Sequence, residues 1–341
     1  MREPERVGVG VIGLGFMGRA HIAAYEAARR AGRACELVAV CDRDPLRCAA
    51  TPQAGANRGA GERGTFDPAQ VVAFAEPADL LADERVRLVS VCTPTDTHVE
   101  IASAALRARK HVLVEKPVAL ASADVRRLLE VARGAATRCM PAFCMRFWPG
   151  WDWLKRQVES EAFGRPRSAR FERLGSLPVW SREFYLDTAR SGDALIDLHI
   201  HDADFARWCF GDPVAVESTG STQHVTSRYR YADGRETVAE GGWTAQTPFR
   251  MCYRVEFEQA VAEYDSRRDP PLVLRRGAKQ EAVPLGAGDG YDGEVRAMLD
   301  AIADPSLPLR ATLEDALSVA RLLEAELDSL RSGAPRPVRL D

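Results

Sequence analysis

The run Val9-Gly-Val-Ile-Gly13-Leu-Gly15-Phe-Met-Gly18 constrains the start of the chain more tightly than any other segment. A β-branched stretch, Val7 to Ile12, leads into glycines spaced G-x-G-x-x-G, and Arg19-Ala-His21-Ile22-Ala-Ala-Tyr25 then continues at helical period. Strand, glycine turn and helix in that order form the context in which the motif means dinucleotide binding. The first glycine permits the tight turn, the second lets backbone approach a pyrophosphate, and the third lets the helix pack on its strand with its positive end toward the phosphates. Gly13, Gly15, Phe16, Met17 and Gly18 are therefore candidate cofactor contacts.

The next strand ends Val40-Cys41-Asp42, which supplies an acidic residue at about the separation expected for a ribose ligand. Its charge would repel a 2′-phosphate, which favours NAD over NADP. Arg43, directly beside it, offers a guanidinium to such a phosphate and keeps NADP open as the alternative. A plain turn role for Asp42 in Asp42-Arg-Asp-Pro45 competes with the ribose reading.

From Arg6 to about Cys144, short apolar runs alternate with helical patterns, as a doubly wound parallel sheet requires. The strands expected are Val7 to Ile12, Glu36 to Cys41, Val71 to Ala75, Val86 to Cys92, His111 to Glu115 and Thr137 to Phe143, with Ser122 capping a helix over Ala123 to Arg133. Ligands of such sheets bind beyond the strand carboxyl ends. Thr93, Pro94 and His98 after the fourth strand, and Glu115 and Lys116 at the end of the fifth, complete the cofactor candidates, with Thr97 as the cap of the following helix. The stretch Thr51 to Gly64 is rich in Gly, Ala and Arg and reads as a surface loop, with a flap over the cofactor as the alternative.

Beyond Gly150 the pattern changes to runs that alternate or carry turn residues, from Ser168 to Leu174 through Leu272 to Leu274, with Ala232-Asp-Gly-Arg235 as a hairpin turn. A largely antiparallel sheet follows, then helices over Gly293 to Ala303 and Leu313 to Arg331. The division expected is a dinucleotide-binding domain over 1–140 and a substrate and oligomerisation domain over 141–341, whose last helices can pack back on the first.

A formal net charge of −3 among 341 residues provides no basic surface, so nucleic acid is not an expected partner. No apolar run reaches a membrane span, and Met1 to Arg6 carries no apolar run, so no secretion signal is expected. The eight cysteines include no C-x-x-C pair and several lie in apolar runs, which reads as buried free thiols in a reducing cytoplasm, with no metal site.

The stretch Ala194-Leu-Ile-Asp197-Leu-His-Ile-His201-Asp-Ala-Asp204 reads as one helix that sets Asp197 and His201 four residues apart on a single face. That pairing suits acid/base work: an imidazole titrates near neutrality, and a carboxylate one turn earlier can hold its tautomer. Lys116 lies just past an apolar strand, where an ammonium can stabilise a developing alkoxide. Together these residues suggest hydride exchange at a hydroxyl carbon, with His201 taking the hydroxyl proton. Arg146 and Tyr185 are further substrate candidates, both with alternative readings as packing groups, and Trp180 is a stacking candidate or a core anchor.

In sum of motifs the chain resembles the glucose-fructose oxidoreductase, inositol dehydrogenase and rhizopine-catabolism family, Gfo/Idh/MocA. The match runs through Cys92-Thr-Pro-Thr-Asp-Thr-His98, His111-Val-Leu-Val-Glu-Lys-Pro117 and Asp197-Leu-His-Ile-His201-Asp, with weaker similarity in Tyr291-Asp-Gly-Glu294 and Thr312-Leu-Glu-Asp-Ala316. The resemblance implies a Rossmann domain, a C-terminal α+β domain whose large open sheet builds homodimers or homotetramers, and a sugar, sugar acid or cyclitol substrate. It assigns the catalytic lysine to Lys116 and the acid/base pair to Asp197 and His201, and it implies a cis bond before Pro117. His199 departs from the small residue often found there in the family. A dinucleotide-binding regulator without turnover, and an NAD-dependent glycosidase working by transient oxidation, are the competing readings.

Overall fold

The computed structural model describes residues 6–49, 65–179, 181–244 and 248–340. The stretch Thr51 to Gly64 and Trp180 lie outside the described residues. Two compact units form, one from Met1–Cys144 with Asp289–Ala316, the other from Met145–Gly288 with Leu317–Asp341.

All six strands expected in the first unit are present: β1 (Val7–Ile12), β2 (Cys35–Cys41), β3 (Val72–Phe74), β4 (Leu88–Val91), β5 (His111–Glu115) and β6 (Cys139–Ala142). They run parallel in the order β3-β2-β1-β4-β5-β6. β1 and β4 are buried along their whole length, which is why their sequences do not alternate and carry a single polar residue, Ser90. The strand order reverses between β1 and β4, so the ligand crevice of this sheet lies beyond their carboxyl ends.

Two helix starts differ from expectation. The helix Ser122–Arg133 begins at Ser122 itself, with Ala121 at the capping position. The helix Gly290–Ala303 begins three residues earlier than its apolar period suggests, because Asp289 caps it by accepting the Tyr291 and Asp292 amides at 3.0 and 3.1 Å. This late helix packs on Phe16–Arg30 within the first unit. An Arg33–Asp300 pair, with both nitrogens at 2.9 Å, ties Asp300 on that helix to the loop after Phe16–Arg30.

In the second unit nine strands form one sheet: β7 (Pro166–Gly175), β8 (Ala215–Ser221), β9 (His224–Arg230), β10 (Glu236–Trp243), β11 (Arg250–Phe257), β12 (Val261–Asp265), β13 (Leu272–Arg276), β14 (Lys279–Ala282) and β15 (Arg336–Pro337). Their order is β14-β13-β12-β11-β7-β10-β9-β8-β15, antiparallel throughout except for β7 against β10. Ala232–Arg235 makes the turn between β9 and β10, closed by the Tyr231 amide on Arg235 O at 3.0 Å. Alternate residues of the sheet point into an aromatic core: Trp151 stacks on Phe171 at 5.6 Å and meets Phe205 and Tyr253 edge-on at 4.8 and 5.3 Å. No helix among the described residues is long and apolar enough to cross a membrane.

Candidate active site

The glycine turn after β1 has the shape a dinucleotide needs. Gly13 sits at φ 90°, and a Cβ there would lie 2.6 Å from Cys92 O at the end of β4; a Cβ on Gly18 would lie 1.9 Å from Gly13 O. Only hydrogen fits at either position. Over Gly15 the space is open, and the nearest atom to a Cβ would be Arg47 Nη1 at 3.9 Å. The helix Phe16–Arg30 starts there without a side-chain cap, with Phe16 and Met17 in its first turn. A pyrophosphate thus finds both room and helix-end amides, and the residues present fit the cofactor.

Asp42 holds the turn from β2. Its Oδ2 accepts the Leu14 amide at 2.7 Å and its Oδ1 the Asp44 amide at 2.9 Å, which leaves lone pairs on both oxygens for ribose hydroxyls. Arg43 is exposed beside it. The guanidinium nearest this carboxylate is instead Arg47, 3.5 Å away on the short helix Pro45–Cys48. Sequence reading passed over Arg47; its position five residues after the acid in Asp42-Arg-Asp-Pro-Leu-Arg47 was the available signal.

Thr93 and Pro94 follow β4, and a 3-10 turn, Thr95–Thr97, leads into the helix His98–Arg107. Thr97 occupies the capping position, but its hydroxyl turns back to Thr93 Oγ1 and Pro94 O, both at 2.7 Å, rather than capping the helix. His98 is buried, and its ring nitrogens lie 2.8 Å from Pro117 O and 2.7 Å from Thr93 O. Burial lowers its pKa, against the pull of those two carbonyls. Both ring nitrogens thus tie the Thr93 and Pro117 loops together.

Lys116 is half-buried at the end of β5, and the bond between it and Pro117 is cis. Glu115 is buried within the first unit. One of its oxygens meets His21 Nε2 at 3.0 Å and the other accepts the Lys116 amide at 3.0 Å. Its side chain thus supports the Lys116 backbone. Behind His21 lies Glu294, fully buried, 3.6 Å from the same Nε2. His21 Nδ1 and the Tyr25 hydroxyl both reach Ser90 Oγ, at 3.0 and 2.8 Å. Burial, with the charges of Glu115 and Asp289, pushes the Glu294 carboxyl well above its ordinary pKa. The three groups His21, Glu115 and Glu294 place ligand-capable atoms within 4.8 Å of one another, a convergence that no sequence spacing announces.

In the second unit the single helix expected over 194–210 is two helices. Asp193–Asp197 ends with Asp197, and Ile200–Phe210 begins with His201 in its first turn. Between them Ala194 O accepts the amide of Leu198 at 3.0 Å and that of His199, five residues on, at 2.8 Å. This widened turn breaks the regular helical spacing between Asp197 and His201. Its cause is visible in His199, a fully buried ring against Glu326 Oε2 at 3.0 Å and the Tyr229 hydroxyl at 3.1 Å, for which Gly241 of β10 leaves the room. Burial opposes the charge on His199, but the Glu326 carboxylate outweighs it and raises the pKa. His199 is therefore an anchor of the core.

Asp197 and His201 remain half-buried. The helix that carries His201 is staked by two buried pairs: Asp202 takes Arg173 of β7 at 2.9 and 3.0 Å, and Asp204 takes Arg146 at 2.6 and 3.0 Å. Arg146 is 1% exposed and lies over the Trp208 ring at 5.3 Å. This pair fixes the guanidinium within the second unit. Tyr185, on the helix Arg182–Leu186, is half-buried and meets Trp243 edge-on at 5.6 Å.

Residues 7–143 match the family model described as "Oxidoreductase family, NAD-binding Rossmann fold", and residues 151–263 match the "GFO/IDH/MocA C-terminal domain". An inositol 2-dehydrogenase of Saccharopolyspora erythraea is 31% identical over 98% of this chain and 97% of its own. The myo-inositol 2-dehydrogenase of Thermotoga maritima is 36% identical over 42% of this chain and 41% of its own. Among solved structures, levoglucosan dehydrogenase in complex with NADH and levoglucosan shares the fold, with a TM-score of 0.85 at 22% identity over 98% of this chain and 100% of that one. The glycine turn, the Asp42 support and the two matched domains agree, and the chain belongs to the Gfo/Idh/MocA family of oxidoreductases, with an NAD-binding Rossmann domain.

Proposed function

We propose that this chain is an NAD-dependent dehydrogenase that oxidises a secondary hydroxyl of a cyclitol, sugar or sugar acid to the ketone, and reduces the ketone when that is supplied. Bound NAD provides the two-electron acceptor. The chain's own residues do the rest. The Gly13 to Gly18 turn and the first amides of Phe16–Arg30 hold the pyrophosphate, and Asp42 takes the ribose hydroxyls, which favours NAD over NADP. The Lys116 ammonium donates to the reacting oxygen and stabilises it as its proton leaves. His201 accepts that proton, and Asp197 orients the imidazole and balances its charge.

The observation that carries this reading is the position of Lys116 at the carboxyl end of β5, in the same sheet whose β1 end forms the cofactor turn, with Glu115 fixed beneath it. Eight free cysteines accord with a reducing cytoplasm, and the family likeness supports a homodimer or homotetramer. A screen of inositols, aldoses, uronates and their keto forms, followed by nicotinamide absorbance, tests the reading. Substrate-dependent formation of NADH is expected. Cofactor binding without turnover, or release of an aglycone without net NADH, would replace it with a regulator or a glycosidase.

A further inference from the structure

The helices Asp193–Asp197 and Ile200–Phe210 meet at His199, whose backbone belongs to both. Its amide donates to Ala194 O at 2.8 Å and closes the first helix five residues back, while its carbonyl accepts the Asp202 and Ala203 amides, each at 3.0 Å, and opens the second. Asp197 lies two residues before it and His201 two after. A five-residue hydrogen-bonded turn of this kind is rare and gathers at functional sites, since regular helix is the lower-energy course for the backbone.

The turn is held through the His199 ring by a network whose members are all buried. Glu326, 0% exposed on the helix Leu313–Ser332, receives three donors: the Tyr229 hydroxyl on Oε1 at 2.8 Å, and on Oε2 the Ser227 hydroxyl at 2.8 Å and His199 Nε2 at 3.0 Å. Ser218 donates in turn to Ser227 Oγ at 2.8 Å, and the Ser218 amide reaches Ser329 Oγ, three residues past Glu326, at 2.9 Å. Gly241 of β10 makes the seat on the other side, where a Cβ would stand 2.8 Å from both Cβ and Nδ1 of His199. The ring is thus clamped between a strand backbone and a saturated carboxylate.

An apolar pair of similar volume often serves a core as well as a buried charged pair does, and the best-attested use of the charged pair is to select one arrangement among several. We propose that the His199–Glu326 pair is a positioning device for the acid/base chemistry: by holding the widened turn it sets the placement of Asp197 relative to His201. This role rests on the dehydrogenase reading and adds two positioning residues to it, both at 0% exposure and acting only through the turn. A misplacement of about 1 Å at a reacting group is enough to lower turnover about 10²-fold, so the effect of the pair falls on kcat and leaves substrate and cofactor affinity alone.

His199→Ala removes the ring and frees the backbone to take regular spacing. Its kcat for NADH formation is expected to fall about 10- to 100-fold, with KM and the Kd for NADH within about twofold of wild type. His199→Gln places an amide nitrogen where Nε2 stands and should recover most of that loss. Phe257→Leu, a truncation of a buried side chain on β11 outside the network, is the control: it should lower the melting temperature and leave kcat within about twofold. A His199→Ala enzyme with wild-type kcat, a control that loses as much kcat as His199→Ala, or no recovery in His199→Gln would each overturn the proposal. If wild type turns over no member of the substrate panel, the dehydrogenase reading fails by itself, and the positioning is judged on the His201 ring by nitrogen NMR. One tautomer is expected in wild type and an average of the two in His199→Ala, and an unchanged ring pattern overturns it. Should His199→Ala not fold, Glu326→Gln, which keeps the shape and removes the charge, is expected to move kcat and the ring pattern in the same direction, and wild-type values of both overturn the proposal.

Discussion

The carboxylate of Glu115 bridges His21 and the backbone of Lys116, accepting from each at 3.0 Å. This puts a buried hydrogen-bonded group directly behind the lysine proposed to stabilise the substrate oxygen. Glu115→Ala removes the partner of a fully buried ring and of one backbone amide, and a loss of about 1–3 kcal/mol in urea unfolding is expected. The same variant should lower kcat about tenfold, and Glu115→Gln, which keeps one acceptor oxygen for the Lys116 amide without the charge, should recover part of it. An Ala variant with wild-type stability and kcat would show that the bridge positions nothing.

Glu294 links the same cluster to pH. Its folded pKa lies above that of an unfolded glutamate, so between those two values the native state binds more protons than the unfolded one. Its contribution is complete below the ordinary carboxyl range near 4.5 and is lost as pH rises through the folded value. Thermal melts of wild type and Glu294→Gln should therefore coincide most closely at low pH, with the variant gaining relative stability toward neutrality. Parallel melting curves across that range would contradict the raised pKa.

The two stakes on the His201 helix differ from surface ion pairs because nothing around them is wet. Arg173→Met leaves Asp202 charged and unmatched in the core, which should cost about 3–5 kcal/mol. The double variant Arg173→Met, Asp202→Leu should recover most of that loss in the same unfolding assay. Equal destabilisation of single and double variants would mean that Arg173 serves the core by packing on Trp151, 5.2 Å away, rather than through its charge.

Much of this arrangement is legible in the sequence because it rests on local patterns. Val7–Ile12 and His111–Glu115 appear at their expected limits, since apolar runs bounded by glycine or charge leave little room for shift. β14 escapes because Lys279–Ala282 is a polar edge strand with no buried residue, and β15 because two residues, one a proline, carry no period. The break between Asp197 and His201 was invisible for a different reason: it is imposed by Glu326 and Tyr229, residues distant in the chain, acting on His199. The Arg146 pair is hidden in the same way, because its partner Asp204 is 58 residues away and only packing brings the two together.

Cofactor choice tests the other end of the site. Asp42→Ser removes the acceptor of the Leu14 amide together with the charge that repels a 2′-phosphate, while Arg47 stays beside Gly15 to receive one. The ratio of kcat/KM for NAD over NADP should fall about tenfold or more, and adding Arg47→Ala should cancel the gain toward NADP. A ratio that does not move in Asp42→Ser would remove Asp42 from ribose recognition.

The central claim is that Lys116 and His201 act on one oxygen of one substrate, and a double-mutant cycle on kcat measures it most directly. Lys116→Ala and His201→Ala are each expected to lower kcat by roughly 10²–10⁴-fold while the Kd for NADH stays within about twofold. Groups that act as a unit are non-additive, so the double variant should be little worse than the poorer single one. Single variants with undiminished kcat, or a double variant whose loss is the full product of the two single losses, would contradict the account.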